Sequence, residues 1–97
     1  MSEYEVLLGD DAREFLSVAD EKTTRVCTEK LRYLADNPYP GRGVGDKEKL
    51  PIDGQRERYR MHISRTYTAM YTVLEDDKEV RVLEIVSIDE AHKRYGF

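Results

Sequence analysis

The apolar positions of this chain follow two different periods, and the switches between them set the expected order of elements. Tyr4–Leu8 is short, aromatic and β-branched, ends at Gly9, and reads as a first strand. Beyond it the period changes. Ala12, Phe15, Leu16 and Ala19 recur at i, i+3, i+4 and i+7, which predicts a helix over Asp11–Ala19 with Asp10 as its N-cap. Asp20 is placed to cap a second helix from Glu21 to about Asp36, with Val26, Cys27, Leu31, Leu34 and Ala35 as its buried stripe. The stretch Asn37-Pro38-Tyr39-Pro40-Gly41 cannot continue a helix.

Residues 38–54 hold all three prolines and four of the six glycines, so they are expected to form a loop, anchored by Leu50 and Ile52. Period two then begins. Tyr59, Met61 and Ile63 alternate with Arg58, Arg60 and His62. Ser64-Arg65-Thr66 makes a tight connection to Tyr67–Leu74, which is apolar on both faces and therefore central. Glu75–Glu79 reads as a polar hairpin turn, Val80–Ile88 as the last strand, and residues 89–97 as a tail that crosses the end of the sheet. The order β-α-α-β-β-β predicts one α+β domain over residues 1–97. A helical hairpin would pack on one face of a mostly antiparallel sheet of about four strands, leaving the other face open.

Charge adds a feature that the periods do not. The chain has a net charge of −4 and a pI of about 5.2, which does not describe a nucleic-acid binder as a whole. The charge is segregated, however. Residues 1–20 carry six acids against Arg13, and residues 55–71 carry Arg56, Arg58, Arg60 and Arg65 against Glu57. If Tyr59, Met61 and Ile63 face the helices, Arg58, Arg60 and His62 form a row on the open face, about 7 Å apart per step. Arginine binds phosphate through a planar fork and stays charged, and histidine exchanges protons near neutral pH. His92, Lys93, Arg94 and Tyr95 make a second basic and aromatic group that the tail could bring to the same face. A row of charges on a strand is more often a solvated sheet face, and acids of the same chain could pair with it. Tyr59 and Tyr71 are expected in the core with their hydroxyls at its edge.

Other chemistries find little support. One cysteine and two distant histidines do not make a zinc site, so no metal or cofactor is expected. Gly41, Gly43 and Gly45 have no strand leading into them and no helix following, as a phosphate cradle requires. Ser64 and Ser87 have no partners for a triad, and Asp76-Asp77 reads as turn chemistry. The single Cys27, the acidic start and the absence of any long apolar run point to the cytoplasm and away from a membrane.

Taken in order, five segments resemble the RelE/ParE superfamily, the toxins of type II toxin–antitoxin systems. They are YEVLLGDDAREFL, KLRYLADNPYPG, RYRMHI, YTAMYTV and VRVLEIVSIDEAHKRYG, and they span nearly the whole chain. The resemblance implies an mRNA endoribonuclease that acts on the ribosome, uses the RNA's own 2′-hydroxyl as nucleophile and needs no metal. Residue by residue it carries catalytic roles to Arg60, His62 and Tyr95; under this reading His92 is expected to join them around one phosphate, and Arg56, Arg58, Arg65, Lys93 and Arg94 of the two basic clusters are expected to contact RNA. It also implies a cognate antitoxin, and operator DNA reached through that antitoxin. Two family arginines are absent: Thr68 stands at one position, and Ser87-Ile88-Asp89 replaces a Gly-His-Arg at the other. His92 and Arg94, or Arg58 and Arg65, could substitute. The alternatives are a ParE-like poison of DNA gyrase and a catalytically degenerate member that only binds its antitoxin.

Overall fold

A computed structural model describes residues 3–41, 45–50 and 57–95, without the side chains of Arg94 and Tyr95. The elements in chain order are β1 (Glu5–Leu8), α1 (Asp10–Val18), α2 (Glu21–Asp36), β2 (Asp46–Leu50), β3 (Arg58–His62), β4 (Tyr67–Leu74), a 3-10 turn at Glu75–Asp77, β5 (Glu79–Ser87) and α3 (Ile88–Tyr95). The five strands make one sheet in the order β1-β5-β4-β3-β2. Among the described residues only the β1–β5 pair is parallel.

The helical hairpin lies on one face of the sheet, as the apolar stripes predict. Ala12, Cys27, Leu31 and Leu34 from the helices meet Tyr59, Met61, Tyr71, Val80, Val82 and Ile85 in one core, with Phe15 and Leu16 packed against it. Asp20 caps α2 by accepting the Thr23 N–H at 2.7 Å. α1 begins one residue earlier than its pattern suggested, with Gly9 at the N-cap position. There the chain runs close to β5. The Gly9 N–H donates to the Val82 carbonyl at 2.8 Å, and a Cβ at Gly9 would stand 3.2 Å from that oxygen.

Three features differ from the pattern-based expectation. First, the Pro- and Gly-rich stretch is not all loop. Asp46–Leu50 forms β2, which pairs antiparallel with β3 and extends the sheet to five strands. Leu50 is buried as expected, whereas Ile52 lies outside the described residues. Second, the tail is a helix. The last strand stops at Ser87, whose Oγ accepts the Glu90 N–H at 3.1 Å and starts α3. Third, α3 covers part of the face expected to be open, where Ala91 packs with Met70, Leu50 and Val86.

A bulge shapes that second face. Met70 pairs with Glu84 and Tyr71 with Val82, so β5 has one extra residue, Leu83, between them. The extra residue shifts the phase of β5 by one step. Val80, Val82 and Ile85 can then all point into the helix-side core, and Glu84 is moved to the opposite face.

Candidate functional site

Along β3, Tyr59 and Met61 are buried against the helices, and Arg58, Arg60 and His62 are half-buried on the other face. The register with β2 sets Asp46 opposite His62, Glu48 opposite Arg60 and Leu50 opposite Arg58. Directly opposed residues of an antiparallel pair share a face. The row therefore meets carboxylates carried by the neighbouring strand.

Glu48 Oε2 accepts from Arg60 at Nε (3.1 Å) and at a terminal guanidinium nitrogen (2.6 Å). The Arg60 side chain is only 14% exposed, and that of Glu48 is 56% exposed. Asp46 Oδ2 stands 3.1 Å from His62 Nδ1. A carboxylate only accepts, so Nδ1 carries the proton, and in the neutral ring Nε2 keeps the lone pair. That Nε2 is enclosed and has no hydrogen-bond partner among the described residues. The register continues across the sheet: Glu48, Arg60, Met70 and Glu84 form one rung over four strands. The face that looks purely basic along β3 is thus of mixed charge once its neighbours are in place.

The remaining expected site residues fall into three groups. Arg65 is exposed in the β3–β4 turn, beside Thr66, Ser87, Ile88 and Asp89. His92 and Lys93 are exposed on α3, and among the described residues neither bonds to Arg60 or His62. Arg56 and the side chains of Arg94 and Tyr95 lie outside the described residues. Thr68, at the position of an absent family arginine, is fully buried and donates its hydroxyl to the Met61 carbonyl at 3.1 Å. Asp89, at the other, is exposed in the first turn of α3, where an acid complements the helix dipole.

Most tyrosines serve the core. Tyr59 stacks on Tyr71 with centroids 5.5 Å apart, and Tyr71 donates to the Pro38 carbonyl at 2.6 Å. Burial raises both phenols, and Tyr59 is pushed up to about 12. Glu75 accepts from Tyr4 (2.8 Å), Tyr39 (2.7 Å) and Lys78 (2.7 Å). Those bonds, led by the one from Lys78, hold its carboxyl down at about 2. Among the described residues no three His, Cys, Asp or Glu side chains gather as a metal site, and no helix is long and apolar enough to cross a membrane.

Solved structures share this arrangement. The archaeal RelE of the RelE–RelB complex from Pyrococcus horikoshii superposes with a TM-score of 0.71 at 24% identity, covering 88% of this chain and 94% of that one. The chain has the RelE toxin fold. Isolated E. coli RelE gives a TM-score of 0.66 at 17% identity over 94% of this chain and 97% of that one. YoeB from Staphylococcus aureus gives 0.67 at 22% identity over 86% and 94%. No protein-family model and no curated protein matches the sequence.

In this RelE-like chain, period and alternation brought Arg58, Arg60 and His62 to one face, as expected. Sequence reasoning allowed that acids of the chain could pair with the row, but it did not find which ones or on which strand. Asp46 and Glu48 sit in Asp46-Lys47-Glu48-Lys49-Leu50, which carries one apolar residue and no β-branched one. Its charge density is itself a recognised mark of edge strands, and that is the signal that could have found it.

Proposed function

We propose that this RelE-like chain is the toxin of a type II toxin–antitoxin system, held inactive by a cognate antitoxin in the cytoplasm. The observation that carries the reading is the RelE fold together with the Arg58–Arg60–His62 row on the sheet face that also bears α3. The solved relatives include toxin–antitoxin complexes, RelE–RelB from Pyrococcus horikoshii and DinJ–YafQ from E. coli among them.

The activity we assign is ribosome-dependent cleavage of mRNA. The 2′-oxygen attacks the adjacent phosphorus, the bond to the 5′-oxygen breaks, and a 2′,3′-cyclic phosphate and a 5′-hydroxyl result. Arg60 opposes the charge that builds on the phosphorane oxygens. His62 exchanges the proton, and Arg58 and Arg65 hold the flanking backbone. His92 and Tyr95, on the helix over this face, are the groups from which the leaving oxygen would take its proton. Operator DNA would be reached through the antitoxin.

A specific observation favours a second reading, a RelE-like protein that acts by binding alone, on gyrase or only on its antitoxin. Arg60 and His62 are already engaged by Glu48 and Asp46, and Thr68 leaves no arginine at the buried position.

The test is the purified chain added to ribosomes that hold a defined mRNA with a vacant A site, with new 5′ ends mapped. Cleavage reading: cuts appear in the A-site codon and vanish in Arg60→Ala and His62→Ala. Binding reading: a folded wild-type protein gives no cuts.

A further inference from the structure

We propose that Asp46 and Glu48 are built-in competitors for the anion that this face receives, each occupying the place of one phosphate on His62 and on Arg60. The proposal rests on reading the row as a phosphate-binding face, and it adds the element that regulates that face.

Three observations carry it. The first is chemical identity. A carboxylate on a guanidinium or on an imidazole N–H uses the same donors and nearly the same distances as a phosphate oxygen. Glu48 takes two donors of Arg60, and Asp46 takes Nδ1 of His62. The second is the contrast in exposure. The Arg60 side chain is held in place at 14% exposure, whereas those of Glu48 and Asp46 are 56% and 77% exposed. An exposed carboxylate rotates into water at little cost, because exposed ion pairs are weak. The acids can leave without the strand leaving. The third is that β2 is anchored independently of these acids. Leu50 packs with Met70 and Ala91, and Lys47 on the opposite face donates to the Asn37 carbonyl. The strand is therefore a fixed mount for two movable charges.

The spacing defines the ligand class. Arg60 and His62 are two residues apart on one strand, about 7 Å, and each faces its own carboxylate. A single phosphate displaces one competitor, whereas a chain of linked phosphates displaces both at once. The face thus discriminates against isolated small anions and in favour of linked ones. Lys49 does not enter the competition, because it lies on the other face, paired with Glu57 at 2.7 Å.

Two probes separate this proposal from the cleavage reading. One is inorganic tripolyphosphate, which cannot be cleaved as RNA is. The other is a short single-stranded oligonucleotide with every 2′-hydroxyl removed. Titration calorimetry at low salt would compare the full chain with Asp46→Asn, Glu48→Gln and the double variant. Glu29→Gln is the control, since it removes the same charge from an exposed position on α2. Each single variant is expected to bind tripolyphosphate several-fold tighter, the double roughly tenfold tighter, and the control within about twofold of wild type. The gain should shrink as salt is raised, since the competition is electrostatic. Thermal melts check folding, and Asp46→Asn, at a site 77% exposed, decides the matter alone if Glu48→Gln does not fold. A double variant that binds no tighter than Glu29→Gln overturns the proposal. Tighter binding with no cleavage on ribosomes upholds it and removes the nuclease reading instead.

Discussion

Replacing Tyr71 by phenylalanine removes one oxygen atom and leaves the ring that stacks on Tyr59. The oxygen is buried and donates to the Pro38 carbonyl at 2.6 Å, and Pro38 is itself buried. A typical net hydrogen bond contributes about 1 kcal/mol, but a buried carbonyl left without its donor costs about 1–3 kcal/mol when no water reaches it. We take about 2 kcal/mol as the expected loss, since the chain at Pro38 can relax a little. For a domain of this size that lowers Tm by roughly 8–16 °C. The bond also fixes the start of the segment that leads into β2, so the loss should spread to the β2–β3 pairing. Chemical denaturation gives the energy, and amide exchange at Glu48 and Leu50, whose N–H groups face β3, reads the pairing. Tyr59→Phe is the internal comparison, because its hydroxyl donates to Glu57, whose side chain is 61% exposed. Water can replace that partner, and the loss should stay under about 1 kcal/mol. If Tyr71→Phe loses under about 0.5 kcal/mol, or no more than Tyr59→Phe, the argument from the buried carbonyl is wrong.

Three further outcomes are expected. Glu75 titrates at about 2 against an ordinary 4.5, so its bonds to Lys78, Tyr39 and Tyr4 stabilise fully above about pH 4.5 and are lost as pH falls toward 2; melts between pH 7 and 2.5 should show this loss, and Glu75→Gln should flatten it. Gly45 has φ +115° and a Cβ there would stand 3.0 Å from Met61 Sδ, so Gly45→Ala should cost about 1–3 kcal/mol by denaturant titration and loosen β2. Restoring the family arginine by Thr68→Arg should unfold the domain, at a cost above about 4 kcal/mol, because it buries a charge where exposure is 0%; a folded Thr68→Arg variant by circular dichroism would contradict this.

Legibility in the sequence followed the strength of the local pattern. The two helices could be read because their apolar residues repeat with the helical period and Asp20 marks a start. β3 could be read because its alternation is strict. β2 could not, since its inward position is a lysine: Lys47 is buried and answers its charge with the Asn37 carbonyl, a contact no pattern announces. The end of β5 was misplaced by one residue although Ser87-Ile88-Asp89-Glu90 has the spacing of a helix-capping box; the apolar run before it masked the signal. The bulge at Leu83 was hidden for a similar reason, because an odd step from Val82 to Ile85 reads as noise until both ends are known to be buried. Of the site, the basic row was legible and its acidic counterparts were not, since they are far apart in sequence and meet only through β2 pairing.

The parallel pairing of β1 with β5 has a consequence for synthesis. Glu5 lies against Glu79, and among the described residues β1 has no other neighbour in the sheet. A nascent chain therefore holds its first strand unpaired until β5 has left the ribosome. The sheet closes by this contact of long sequence separation, which is slow to form compared with the local helical hairpin. The finished sheet therefore exists only once β5 has been translated and has paired with β1, whereas the helical hairpin can form well before that point.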